Sequence, residues 1–434
     1  MTSYRPAAPR NSGMLADSLW AATASPPPQL PVLEGEAAFD VAVVGAGYTG
    51  LSAALHLAER GVRVAVLEAE EPGWGASGRN GGQVNPGFKL PRGDLRRLFA
   101  SDVADRMYDV GADAPRFLFD LVRRTGIECA AAQTGTYRLA HSAPALRALQ
   151  GAAETLAGEG TPMRQLDRQA ISGEIGAIGY LGGFLDARGG NVHPLDYVRG
   201  LARAAIARGA AIYIGAQVGT LQREAGRWRV RTRGGSVRAD SVIVGTNGYT
   251  DGLWPGLAAS LLPVLSFQIA TAPLGAADAR AILPGRQAVY DSRRLVLYFR
   301  RSPDDRIVLG GRASFTVAHR TADYGVLRRV LTGLYPALAA VPIDYRWAGR
   351  VAITRDFLPH LHEPAPGLFV AVGYNGRGVA MATRMGALLA DVACRQDDVP
   401  FPVTPIRGIP LHAFRQPVLH VAMLYQSAMD SLGR

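Results

Sequence analysis

Between Phe39 and Glu68 the chain carries one unbroken pattern that leaves little freedom in how it folds. Residues 39–44 are a short apolar run, and Gly45-Ala46-Gly47-Tyr48-Thr49-Gly50 follows at once. Residues 51–60 have helical spacing, with Leu51, Ala54, Leu55 and Ala58 on one face, and Gly61 closes them. Residues 62–67 are a second apolar run, ending in Glu68, 23 positions after Gly45. Strand, glycine turn, helix and strand ending in an acid is the pattern that binds dinucleotides.

Each part has a physical task. Gly45 permits a tight turn, Gly47 lets backbone approach a pyrophosphate, and Gly50 allows helix to pack closely on strand. The helix N-terminus offers unpaired N–H groups and the positive end of its dipole to the phosphates, with Tyr48 and Thr49 of the turn among the candidate cofactor contacts. Glu68 can accept hydrogen bonds from an adenosine ribose. The plain alternative is a glycine-rich turn beside a solvent-facing Glu68; the complete setting favours the dinucleotide.

At 434 residues the chain outgrows one such unit, and two domains are expected. The formal net charge is +11, yet Lys89 is the only lysine and the arginines are scattered, without a basic stripe. Nucleic-acid binding is therefore not expected, while an acidic substrate suits the charge. No stretch of about eighteen uninterrupted apolar residues occurs, so no membrane span is expected. No apolar run follows Arg5 and Arg10, and two cysteines, Cys129 and Cys394, cannot build a disulfide framework. A cytoplasmic, reducing location is the expectation.

Residues 1–38 read as an extension, too rich in proline for regular helix and, with Leu15, Leu19, Trp20 and Leu33, too apolar for a free tail. It is expected to lie along the body. Helices are expected over 91–121, 144–156, 194–208, 321–335 and 379–394. Strands are expected over 136–140, 211–214, 216–221, 228–232, 236–245, 264–270, 294–300, 306–309 and 368–373. Residues 39–90, 190–250 and 345–395 would assemble the dinucleotide domain, 91–189 and 251–344 a sheet-rich second domain, and 396–434 a cap holding an amphipathic helix at 413–432.

After the second strand comes Gly73-Trp74-Gly75-Ala76-Ser77-Gly78-Arg79-Asn80-Gly81-Gly82-Gln83. Small residues at this density build no core, but they let backbone hydrogen-bond a flat ligand. With the glycine turn and the late Gly373-Tyr374-Asn375-Gly376-Arg377-Gly378, this loop resembles the D-amino acid oxidase superfamily. Tyr298-Phe299-Arg300, Gly310-Gly311 and Trp347-Ala348-Gly349 make the γ-glutamylputrescine oxidase branch the best match.

The resemblance implies an α/β fold: a glutathione-reductase-type FAD-binding domain with an interleaved α+β substrate domain on a mixed sheet. Gly45, Gly47 and Gly50 would hold the FAD diphosphate, and Glu68 the ribose. Ser77, Asn80, Gly82 and Gln83 would border the isoalloxazine, and Val218 would grip adenine through its backbone. Thr246 and Asn247 match a second nucleotide crossover, and Gly376, Arg377 and Val379 the pyrimidine edge. A helix starting near Asn375 would aim its positive end at the charge of reduced flavin. The superfamily's tethering cysteine has no counterpart in residues 347–356, so non-covalent FAD is expected.

Asn80, Tyr298, Trp347 and Arg377 are the candidate catalytic residues, and His193, Arg300, Arg350 and Arg355 the candidate substrate contacts. His360 and His362 lack a third ligand in view, so no metal is expected. The implied activity is oxidation of a primary amine to an aldehyde, with release of ammonia and peroxide and with molecular oxygen as acceptor. Rivals are an amino-acid dehydrogenase or oxidase acting on a D- or N-methyl amino acid, and a non-catalytic flavoprotein. The α-amino acid branch carries an arginine two positions after the glycine that matches Gly349; here that position is Val351.

Overall fold

Val41–Val44 and Val64–Leu67 pair in parallel, from Val41 opposite Val64 to Val44 opposite Leu67, and all of these residues are buried. Strands buried on both faces need cover on both. This is a computed structural model of the protein; it describes residues 15–311, 321–396 and 398–415, with scattered positions up to 430. The parallel pair is the centre of a six-stranded sheet in the order His360–Ala365, Leu368–Val372, Ser241–Val244, Val41–Val44, Val64–Leu67, Ala211–Tyr213. Only His360–Ala365 runs antiparallel to its neighbour.

Helix Tyr48–Ala58 packs between Pro194–Ala207 and Gly378–Ala393 on one face of this sheet. The approach is close: a Cβ on Gly386 would lie 2.5 Å from the Thr49 carbonyl oxygen. A four-stranded sheet, Gly35–Ala38, Gly235–Ala239, Arg227–Arg231 and Thr220–Glu224, shares a core with the other face through Trp228, Val230 and Val237.

A second body is built on an eight-stranded mixed sheet. Its order is Ile343–Ile353, Leu262–Thr271, Ile307–Gly311, Tyr298–Arg301, Ala288–Asp291, Thr136–Ala140, Gly182–Asp186, Met163–Asp167. Alternation sends Tyr137, Phe267, Val289, Phe299, Leu309 and Ala348 into one core with helix Thr321–Leu334. Their neighbours form a row across the opposite face. Arg138 stands opposite Tyr290, Tyr290 opposite Tyr298, Tyr298 opposite Gly310, Gly310 opposite Gln268, and Gln268 opposite Trp347.

Several expected elements differ in extent. The single helix expected over 91–121 is two, Arg92–Leu98 and Ser101–Thr125, because the chain turns extended at Phe99 and Ala100. The strand expected over 236–245 divides at Asp240 into Gly235–Ala239 and Ser241–Val244, which join different sheets. Strand pairing begins only at Thr220 and Tyr298, not at 216 and 294. Of the extension, residues 1–14 lie outside the description; beyond them helix Leu19–Thr23 buries Leu19 and Trp20 completely. Most of the helix expected over 413–432 also lies outside the described residues. Among the described residues no helix is long and apolar enough to cross a membrane.

Candidate active site

A cavity of about 540 Å³ runs between the six-stranded and eight-stranded sheets. At one end Gly45 takes φ +100°, in the region that glycine alone enters freely, so the chain turns directly from strand into helix. A Cβ on Gly50 would lie 2.0 Å from the Gly45 oxygen, so Gly50 serves helix-on-strand packing and is not on the cavity wall. Helix Tyr48–Ala58 takes no cap from its own N-cap residue, Gly47, and its N-terminus borders the cavity at Gly47, Tyr48 and Thr49. The Ser77 hydroxyl accepts from Tyr48 N–H at 3.0 Å, bringing the second glycine-rich loop to the same place.

Glu68 ends its strand inside this cavity, where its carboxylate accepts from the N–H groups of Ala46 at 2.6 Å and Glu70 at 3.1 Å. Burial raises its pKa, and those backbone donors oppose the rise. Val218, Thr246 and Asn247 line the wall beside it. An open helix N-terminus, glycine backbone and a carboxylate at the strand end form a donor set that fits FAD.

The Ser77–Gln83 loop is held from every side. Asn80 Nδ2 donates to the Tyr48 hydroxyl and to the Ala76 and Ser77 carbonyls, and its Oδ1 accepts from Gly82 N–H. That uses the whole side chain inside the loop, although Asn80 borders the cavity. Gln83 Nε2 donates to the Val289 and Phe299 carbonyls, tying the loop to the eight-stranded sheet. Trp347 Nε1 and Gln268 Nε2 both donate to the Arg79 carbonyl. Gly82 turns at φ +71° with its carbonyl accepting from Val192 N–H, and it is covered rather than lining.

Helix Gly378–Ala393 opens on the cavity too, also without a side-chain cap, and Gly376, Arg377 and Val379 line it there. The helix starts at Gly378, one residue before the span expected from its spacing and three after Asn375. Asn375 is left-handed at φ +53°, its amide bonded to Thr354, which fixes how the chain enters the helix. Arg377 donates to the Pro86 carbonyl and, at 3.4 Å, to the Tyr290 hydroxyl.

The expected substrate contacts separate. Tyr298 lines the cavity, its hydroxyl 2.8 Å from Ser266 Oγ and its ring against Gly81, where a Cβ would meet it at 2.8 Å. Arg350 lines the wall with its guanidinium 5.1 Å from the Tyr249 ring centroid. Trp347, His193, Arg300 and Arg355 are not on the wall. Trp347 is buried behind the loop it bonds. His193 caps helix Pro194–Ala207, its Nδ1 accepting from Asp196 N–H, and burial lowers its pKa. Arg300 shares the cavity face with Tyr298 but lies behind Gly82, its guanidinium over the Trp20 ring at 4.9 Å. Arg355 stands exposed in the turn after strand Ile343–Ile353.

Arg138, Tyr290 and Gln268 line the cavity without having been anticipated. Gln268 falls on the strand expected over 264–270; the strand Ala288–Asp291 that carries Tyr290 was not expected, and the neighbours across the sheet do not show in the sequence. Lys89 is exposed and also lines the cavity, with its ammonium 5.2 Å from the Phe357 ring centroid.

A family model described as "FAD dependent oxidoreductase" matches residues 40–392. The protein named "Probable oxidoreductase OrdL" from Rhizobium meliloti is 34% identical over 87% of this chain and 88% of its own. Gamma-glutamylputrescine oxidoreductase of Escherichia coli is 32% identical over 96% of this chain and 98% of its own. The crystal structure of glycine oxidase from Geobacillus kaustophilus superposes with a TM-score of 0.71 at 24% identity, covering 86% of this chain and all of that one, a likeness of fold. The cavity, its two open helix ends and its glycine loops thus sit in a known framework: the chain belongs to the FAD-dependent oxidoreductases of the D-amino acid oxidase superfamily, and its cofactor is FAD.

Proposed function

We propose that the protein oxidises a primary amine at the end of a longer, acidic chain, of the γ-glutamylputrescine kind, to the aldehyde. Ammonia is released, and molecular oxygen is the acceptor that becomes hydrogen peroxide. One observation carries the choice of amine over α-amino acid: Val351 lines the cavity at the position where the α-amino acid branch has its arginine. A buried α-carboxylate facing valine stays unpaired, at a cost on the order of several kcal/mol. The similarity to gamma-glutamylputrescine oxidoreductase along nearly the whole chain supports the same reading.

FAD, when bound, supplies the acceptor for the hydride that leaves the amine-bearing carbon. Gly45, Gly47, Tyr48 and Thr49 would hold its diphosphate, Glu68 its ribose, and Val218, Thr246 and Asn247 its adenosine half. Ser77, Gln83, Gly376, Arg377 and Val379 would border the flavin ring. No cysteine or histidine is among the described lining residues, which supports non-covalent binding. An alkylamine is protonated at pH 7, and only its neutral form can lose hydride. The rings of Tyr298 and Tyr290 give the amine a weakly polar wall, which disfavours the ammonium form.

The test is oxygen uptake and peroxide release with γ-glutamylputrescine, putrescine, D-alanine and sarcosine. γ-Glutamylputrescine should give the highest kcat/KM. A highest value for D-alanine would overturn the choice of amine, and rapid flavin bleaching without oxygen uptake would overturn the choice of acceptor.

A further inference from the structure

The cavity wall formed by Thr136–Ala140 and Ala288–Asp291 is cationic. Arg138, Arg293 and Arg294 border it, and Arg377 reaches it at Tyr290. The carboxylate among the described lining residues here, Asp291, is ion-paired with Arg293 and accepts from Leu297 N–H at 3.0 Å, while Asp430, off the lining, accepts from Arg294 N–H at 2.8 Å. The other acidic lining residues, Glu68, Glu70 and Asp251, belong to loops of the six-stranded sheet.

Within this wall Arg138 is distinctive. It is half-buried, its Nε is closed off from solvent without a hydrogen-bond partner, and no carboxylate pairs with it among the described residues. Its guanidinium lies 5.9 Å from the Tyr290 ring centroid, and the Arg377 guanidinium lies 5.5 Å from the same centroid. Arg377 holds Tyr290 and Pro86 with its own donors, while Arg138, with Nε unspent beside the same phenol ring, presents a fork to an anion.

Distance decides which anion. Arg138 is two strands from Tyr298 in the row across the sheet, about 10 Å at the usual strand spacing. Tyr298 is the row member that touches the glycine loop at Gly81. The carboxylate of an α-amino acid is one bond from the reacting carbon and cannot span that gap. A carboxylate on a long acyl tail can.

We propose that Arg138, with Arg377 beside it, receives the distal carboxylate of the substrate and determines its specificity. This rests on the amine-oxidation reading above. The experiment compares anaerobic flavin reduction by γ-glutamylputrescine and by its α-carboxamide analogue, in wild type, Arg138→Met and Arg138→Lys. Wild type should prefer the acid by about 100-fold in kcat/KM, the usual scale for losing one partner of a desolvated pair. R138M should abolish the preference, and R138K, keeping charge without the fork, should restore part of it. A preference that survives in R138M overturns the proposal.

Calorimetric titration of glutarate into the FAD-loaded protein separates the two readings. If wild type does not oxidise the amine but R138M weakens glutarate binding tenfold or more, the function falls and the carboxylate site stands. If the amine is oxidised and glutarate binds R138M as it binds wild type, the carboxylate site falls alone.

Discussion

Trp20 and Trp347 meet edge to face with ring centroids 5.9 Å apart, and their indole N–H groups hold the carbonyls of consecutive residues, Asn80 at 2.8 Å and Arg79 at 3.0 Å. One indole comes from the N-terminal extension and the other from a strand of the eight-stranded sheet, so the loop is pinned by two distant segments at once.

Trp347→Phe keeps the ring and removes one of two donors to the Arg79 carbonyl, Gln268 being the other. The expected cost is about 1 kcal/mol of stability. FAD should be retained and kcat should change less than tenfold, as measured by urea unfolding and steady-state kinetics. A loss of activity above a hundredfold with stability intact would give the indole a direct part in the chemistry.

At Gly47 even a Cβ would approach Ser77 Oγ to 3.0 Å, on the side where the open helix end faces the cavity. Gly47→Val should therefore yield folded but colourless protein. Wild-type FAD should be released by acid or heat, and flavin that stays with the precipitated chain would contradict non-covalent binding.

Val351→Arg would place a guanidinium on the cavity wall where an α-carboxylate has no partner. The variant should gain at least tenfold in kcat/KM on D-alanine or sarcosine and lose on γ-glutamylputrescine. Arg355→Ala, altering an exposed side chain off the wall, should leave both unchanged.

Arg300 is fully enclosed, and burial lowers its pKa to about 10. Its Nε and Nη2 have no hydrogen-bond partners. Replacing such a group by an apolar one of similar length is neutral or stabilising, so Arg300→Met should raise stability by about 1 kcal/mol. A lower unfolding midpoint in urea would mean that the guanidinium has a role the fold depends on.

Burial pushes the His362 imidazole down to about 4, below the unfolded value of about 6.5. Between those values the unfolded chain binds the extra proton, so stability is lost as pH falls from about 6.5 to 4. The loss attributable to this group is on the order of 3 kcal/mol. His362→Gln should make the decline shallower across this window, measured as urea midpoints at pH 7.5 and 4.5.

The dinucleotide unit was legible because it is local: turn, helix and acid all lie within residues 39–68. The Ser77–Gln83 loop was legible for the same reason. The cavity wall on the eight-stranded sheet was not, because it is lateral. Arg138, Tyr290 and Tyr298 become neighbours only through strand register, and no short window of sequence contains all three. Arg300 misled for a related reason. It alternates onto the same face as Tyr298, but two residues further along the strand Gly82 covers it. His193 stands just before the helix expected over 194–208, and it is the N-cap of that helix rather than a residue of the cavity wall.

The lateral row has a consequence for how such a protein could change its diet. Each strand is a graduation of about 4.8 Å, close to four bonds of an extended carbon chain. With Arg138 as the proposed receiving cation, moving that cation from Thr136–Ala140 to Ala288–Asp291 would shorten the accepted molecule by one graduation, and moving it to Gly182–Asp186 would lengthen it by one. Substrate length is therefore adjustable in steps, by exchanging single side chains, while the strands and the cofactor cradle stay where they are.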